Sequence, residues 1–513
     1  RRPALAAGAA AAAVVLGAGV VGFLGSTGAG ALEGGGFGPV AAHGHAADGT
    51  GSEPSDADGT GSEPSDGLSV TSLTTAPDAP GAPGATVEVE LAAQRQSIDL
   101  PSGRSIAAWT FGELAGPALD VRVGDTLAVR VTDLDVAAGV TVHWHGYPVA
   151  NAFDGVAGVT QDAVLPGEEL RAGIPMTRPG TYWYHTHQRG SQGVVRGLYG
   201  TLVVHPASGP TEDVDLVLPV HTFSGAVVLG TSDVLETRTV APGQSVRLRL
   251  INTDQAPQTF AVQGTPFRVA ALDGTDVTTG ILQDRALVVP AGGRIDVVFG
   301  MPDEPVRVGV ASDRGGGLAL VPSAGSAVPT LTIPETAFDP VTDLVAAPAG
   351  SDSPHADADA AIEADLAGAG FDVERTLLLD RLPRLVQGAP NYAYTVDGRV
   401  YPFIEPTVVS EGDVVRLRFV NRGFETHPMH PHGHAVRVLA VDGRVPAAPL
   451  WLDTFDVGPG EVWEVALDAD NPGIWMDHCH NLEHAALGMV THLAYRGVTT
   501  PFEHGGPAGN APE

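Results

Sequence analysis

Three eleven-residue phrases recur once each in three successive stretches of the chain: VGDTLAVRVTD at 123–133, PGQSVRLRLIN at 242–252 and EGDVVRLRFVN at 411–421. In each, a turn-forming start gives way to alternating apolar and polar positions, the period of a half-buried strand. Recurrence at this scale means one structural unit used three times. Gly and Pro, 66 and 41 of 513 residues, punctuate short strand-like runs such as 87–91, 126–131 and 213–218. Long helical periodicity is absent from most of the sequence, so the expectation is all-β, three Greek-key β-sandwich domains in one chain.

The expected boundaries are 86–208, 212–336 and 375–500, with linkers at 34–85 and 337–374 and a tail at 501–513. Residues 48–57 recur almost unchanged at 58–67, a polar tether with nothing to bury. Arg1 and Arg2 precede a charge-free Ala, Gly, Val and Leu run over 3–32. Residues 1–33 therefore read as an export signal of the twin-arginine kind or as a retained membrane anchor, and the protein as extracellular or cell-envelope. A formal net charge of −32 argues against nucleic acid as a partner.

The only cysteine sits in His478-Cys479-His480, with His484 five residues on and Met489 ten. Strand alternation turns His478 and His480 to one face and Cys479 to the other, so one short strand can serve two metal centres. Thiolate, imidazole and thioether are copper donors, and a His2Cys set with a long axial Met makes a blue-copper electron-transfer centre. Three further clusters hold His143 and His145, His185 and His187, and His427, His430, His432 and His434. Six His-x-His pairs occur among the 18 histidines, where chance would supply less than one. The pair His43/His45 falls in the tether and is assigned no role. Each of the others puts two imidazoles on one strand face, so four pairs can surround a small metal cluster between the first and third units. His427 is then available as the second imidazole beside Cys479.

On these four ordered motifs the chain resembles a three-domain multicopper oxidase of the laccase-like, bacterial type over about residues 86–500. The resemblance implies cupredoxin-like domains and four copper ions per chain. It implies a type 1 copper at His427, Cys479 and His484 with Met489 axial, and a type 2 copper at His143 and His430. The type 3 pair would take His145, His185, His187, His432, His478 and His480. The activity implied is one-electron oxidation of a reductant at the type 1 copper, with a ring edge of His427 or His484 facing it. Electrons would pass through Cys479 to His478 and His480, and dioxygen would be reduced to water. Asp154 matches the acidic residue that aids proton delivery in bacterial relatives. A second acid that many of them carry after the last type 1 histidine is Ala485 here, and Glu483 does not simply replace it.

Phenolic or other aromatic reductants lead the expectation. A metal-ion oxidase acting on Cu(I), Fe(II) or Mn(II) is the alternative; the five methionines form no Met-rich patch for soft Cu(I). A copper nitrite reductase is disfavoured because that family lacks a second ligand histidine directly after the type 1 cysteine. A non-enzymatic copper-binding protein is disfavoured because no ligand position is lost. His221, His434 and His492 are expected to be structural.

Overall fold

A computed structural model describes residues 67–75, 84–348 and 353–513. The expected export segment and most of the tether lie outside these residues. Among those described, no helix is long and apolar enough to cross a membrane.

The three recurring phrases become three equivalent strands. Thr126–Asp133 lies between Thr86–Asp99, parallel, and Glu169–Pro175, antiparallel. Ser245–Asn252 lies likewise between Val214–Phe223 and Arg294–Gly300, and Val414–Asn421 between Val373–Val386 and Val462–Asp468. Every second residue of Thr126–Asp133 is buried, as the alternation requires. Around each phrase a sheet of four or six strands packs with a second sheet of four or five, the two-layer solution for strands with one apolar face. The fold is all-β as expected.

The second sheet of each outer unit carries the histidine motifs. In the first unit its strand order is Leu119–Arg122, Tyr199–His205, Gly180–His185, His143–His145. In the third it is Thr407–Val409, Val490–Tyr495, Ile474–Cys479, His427–Pro431, Phe455–Val457. The register sets His143 opposite His185, and His430 opposite His478 with Met429 opposite Cys479. The pleat therefore splits neighbouring ligand candidates between two faces of one strand pair.

Three stretches expected as linker or tail are packed instead. Within 34–85, Leu68–Ser69 pairs in parallel with Val498–Thr499, and Val70 is fully buried with Val156, Val159, Ile474 and Met476. Within 337–374, Ala356–Ala364 is a helix whose Ile362 packs with Val414, Trp451 and Ala466. Its alanines favour helix, and Asp357 and Asp359 in the first turn complement the helix dipole. Within 501–513, Asn510 donates to Asp162 Oδ1 (2.7 Å) and accepts from Ala163 N–H (2.9 Å), while Arg189 N–H donates to the Ala511 carbonyl (2.7 Å). Amide hydrogen bonds hold this segment where the composition offers little apolar surface.

Candidate metal centres

Two donor sets form, on opposite sides of Cys479. On one side the Nδ1 atoms of His427 and His484 stand 3.7 and 3.5 Å from Cys479 Sγ and 3.1 Å from each other. All three residues are buried. His427 is delivered by its strand, and His484 by the short helix Leu482–Ala486 that follows Cys479. Burial pushes the His427 imidazole down to about 4, and burial with the neighbouring His427 and Arg381 pushes His484 down to about 3. Burial raises the Cys479 thiol well above its usual value. Two neutral imidazoles and a desolvated sulfur facing one another, with no carboxylate in the set, make a soft, low-charge donor group that suits copper better than a hard cation. Met489 is fully buried on the returning loop, its carbonyl accepting from Cys479 N–H (3.2 Å).

On the other side eight histidines converge: His143, His145, His185, His187, His430, His432, His478 and His480, all nearly inaccessible. Their ring nitrogens are sorted by what the other nitrogen bonds. Nδ1–H donates from His185 to the Thr186 carbonyl (3.0 Å), from His187 to Pro512 (3.0 Å), from His430 to Asp453 (2.7 Å) and from His478 to Cys479 (3.1 Å). Asp154 takes the Nδ1–H of both His143 and His432, each at 3.0 Å from its Oδ1. These six rings thereby keep Nε2 for the interior, since a ring that donates from one nitrogen keeps its lone pair on the other. The Nε2 atoms of His143 and His430 face each other at 3.4 Å, and those of His185 and His480 at 3.5 Å. Those of His187, His432 and His478 are buried without a hydrogen-bond partner, and these three rings lie within metal-binding reach of one another. So many inward lone pairs repel one another unless a cation lies among them, so the residues fit a small cluster of copper ions. Burial first, and the neighbouring imidazoles second, drive His145, His185, His187, His430, His432, His478 and His480 well below the usual imidazole range.

The two sets differ in reach. His484 Nε2 points away from Cys479 toward Glu425 Oε2 (3.4 Å), whose side chain is 42% exposed. Of the two rings considered for the outward edge, it is therefore His484 that meets the surface. Tyr394 stacks on it with ring centroids 3.8 Å apart, and also bonds Glu425, which Arg381 holds at 2.9 Å. Phe424 and Tyr392 stand exposed nearby in sequence.

Asp154 is fully buried, its carboxyl raised by burial against the opposing pull of His143. His221 bonds Thr253 apart from both sets, whereas His434 bonds Tyr495 and the His432 carbonyl. Sequence reasoning missed Asp453, Thr454 and Glu513. Glu483 is exposed, whereas Glu513 from the packed tail lies buried, 3.4 Å from His187 Nδ1 and 3.3 Å from His478 Nδ1. No local pattern announces these residues, which reach the cluster only through tertiary contact.

Two family models, both described as multicopper oxidase, match residues 93–209 and 381–497. Multicopper oxidase MmcO of Mycobacterium tuberculosis is 26% identical over 476 residues, spanning 80% of this chain and 87% of its own length. Laccase-1 of Botryotinia fuckeliana is 27% identical over 447 residues, spanning 74% and 76%. A multicopper oxidase structure from Pseudomonas thermotolerans superposes with a TM-score of 0.63 at 25% identity, covering 80% of this chain and 99% of that one.

Proposed function

The chain belongs to the multicopper oxidase family, and on that premise we propose that its donor sets hold four copper ions and that its reductants are phenolic or other aromatic molecules. His427, Cys479, His484 and Met489 would hold the type 1 ion. His143 and His430 hold the type 2 ion. The type 3 pair divides into His187, His432 and His478 for one ion and His145, His185 and His480 for the other. Bound copper supplies one-electron oxidation at the cysteine set and four-electron reduction of dioxygen to water at the histidine cluster.

The observation that carries the reading is Cys479 at the end of the strand Ile474–Cys479, between His478 on that strand and His480 just past it, with the two donor sets on its two sides. The reductant meets the His484 edge, and the strand backbone joins Cys479 to both neighbouring histidines. Asp154 holds two cluster rings and stands close enough to serve as a proton carrier. Three cupredoxin units at 86–208, 212–336 and 375–500 frame these sites. Residues 1–33 direct export or anchor the chain in the cell envelope.

The aromatic preference rests on the exposed Phe424 and Tyr392 and on Glu425, whose carboxylate can accept a phenolic O–H beside the His484 edge. The same carboxylate would also attract Fe(II) or Mn(II), so the metal-ion reading is the second one. Steady-state rates of the copper-loaded protein on a phenol, Fe(II), Mn(II) and Cu(I) separate them. Glu425→Gln is expected to lower kcat/KM for the phenol by roughly tenfold, the loss of about one charge-assisted hydrogen bond. Inactivity on all four reductants, with a type 1 site that can be reduced chemically, would sink the oxidase reading.

A further inference from the structure

The middle unit carries none of the proposed ligands, yet one of its turns reaches the histidine cluster. The turn over 290–293 contains Gly292, which has a positive φ of +88°, and a Cβ there would lie 2.9 Å from His145 Cε1 and 3.0 Å from His480 Cγ. Its carbonyl accepts from Trp183 Nε1 (3.1 Å). The next strand begins with Arg294, whose guanidinium is completely buried.

That guanidinium forks onto Asp453, Nη1 to Oδ1 at 2.5 Å and Nη2 to Oδ2 at 2.6 Å, while Nε donates to the Thr181 carbonyl at 3.0 Å. It thus ties together all three units. Asp273, also from the middle unit, takes the backbone N–H of Arg294 on Oδ1 (2.9 Å) and those of Asp453 and Thr454 on Oδ2 (3.2 and 3.0 Å). The loop at Asp453 and Thr454 is clamped from both its side chain and its backbone.

What this loop holds is the odd histidine of the cluster. Six rings donate from Nδ1, but His145 places Nε2 3.0 Å from Thr454 Oγ1 and leaves Nδ1 buried without a partner. The Thr454 hydroxyl gives its own proton to Asp453 Oδ1 (2.9 Å), so its oxygen is free only to accept. His145 is therefore committed to the tautomer with the proton on Nε2 and the lone pair on Nδ1. The Asp453 carbonyl meanwhile takes the Nδ1–H of His430 (2.7 Å), committing that ring the opposite way.

We propose that Arg294, acting through Asp453 and Thr454, is the positioning residue that orients His145 and His430 for copper, making the ligand-free middle unit part of the oxygen-reducing site. This rests on the copper assignment above. A fork is needed because two carboxylate oxygens must be held while one of them orients Thr454, and a single ammonium cannot do both.

The test compares Arg294→Lys, Asp453→Asn and Thr454→Val with the parent protein after copper loading. It reads copper per chain, the electron paramagnetic resonance of the type 2 ion, the near-ultraviolet absorption of the coupled pair and the blue thiolate band. The blue band is the internal control, because Arg294 touches none of His427, Cys479 and His484. If the parent protein shows no copper at either set, the failure lies with the assignment above and not with Arg294. The proposal expects the blue band and the melting temperature to stay near the parent values in Thr454→Val. Copper affinity at the histidine cluster falls by roughly 10–100-fold there, the usual cost of losing a ligand's outer partner, with altered type 2 and pair signals. Arg294→Lys, which keeps the charge, is expected to fall between Thr454→Val and the parent. Unchanged cluster signals in all three variants overturn the proposal. So does parallel loss of the blue band and of folding in all three, which would make the contact merely structural.

Discussion

The cysteine set and the histidine cluster share one strand and are built on opposite rules. The cysteine set uses three donors, leaves His484 with an outward edge and has a half-exposed Glu425 beside it. The cluster uses eight donors, seven of them with the second ring nitrogen tied to a carbonyl, carboxylate or hydroxyl, and none reaches solvent. Electron entry needs an edge a reductant can touch, whereas oxygen chemistry needs ligands that do not reorganise and a site that water does not flood. Depth separates the two tasks, and Cys479 joins them.

Breaking the junction should have the largest effect. Cys479→Ser is expected to abolish the blue absorption and turnover, while circular dichroism and copper binding at the histidine cluster persist; a variant that stays blue would refute the assignment. Disturbing only the deep side should give the converse. Asp154→Asn keeps one oxygen for the two Nδ1–H groups but sets an amide N–H where Oδ2 stood 3.1 Å from His432 Nδ1, so cluster copper affinity should drop roughly 10–100-fold with the blue band intact. Metal titration followed at both signals checks this.

A smaller effect should appear at the cysteine set in the metal-free protein. Unfolded histidine protonates near 6.5, but folded His427 does so only at about 4 and His484 at about 3. Between these values the unfolded chain binds protons that the folded chain refuses, so stability falls as pH drops below 6.5. Each such ring costs about 1.4 kcal/mol per pH unit across its window. Denaturant melts of the metal-free parent and of His427→Gln between pH 7 and 5 isolate one ring's share, because the other buried histidines and carboxyls are common to both; the variant's stability should fall less steeply, and identical slopes would mean that His427 is not desolvated in solution.

Much of the site was legible because its ligands recur as His-x-His pairs that begin on strands, with His187, His432 and His480 just past the strand ends. His143 with His145, His185 with His187, and His478, Cys479 and His480 announce faces and partners by spacing alone, and the resemblance supplied the order. Asp453, Thr454, Arg294 and Glu513 were invisible because each meets the cluster from a distant stretch of chain with no spacing to betray it. Residues 67–75, within the linker expected at 34–85, and the tail expected at 501–513 read as such because their composition is poor in apolar residues. Their order comes instead from strand pairing with Val498–Thr499 and from the hydrogen bonds of Asn510 and Ala511.

By itself the sequence determined an all-β architecture built on one repeated strand pattern, and a copper-type donor set around its single cysteine, because strand periodicity and ligand chemistry are local properties. Only the tertiary structure decided which nitrogen each ring offers, that His484 is the outward edge, and that a ligand-free unit grips the cluster through Arg294. Those choices depend on what stands beside each ring after folding, and for His145, His187 and His432 these neighbours lie hundreds of residues away along the chain.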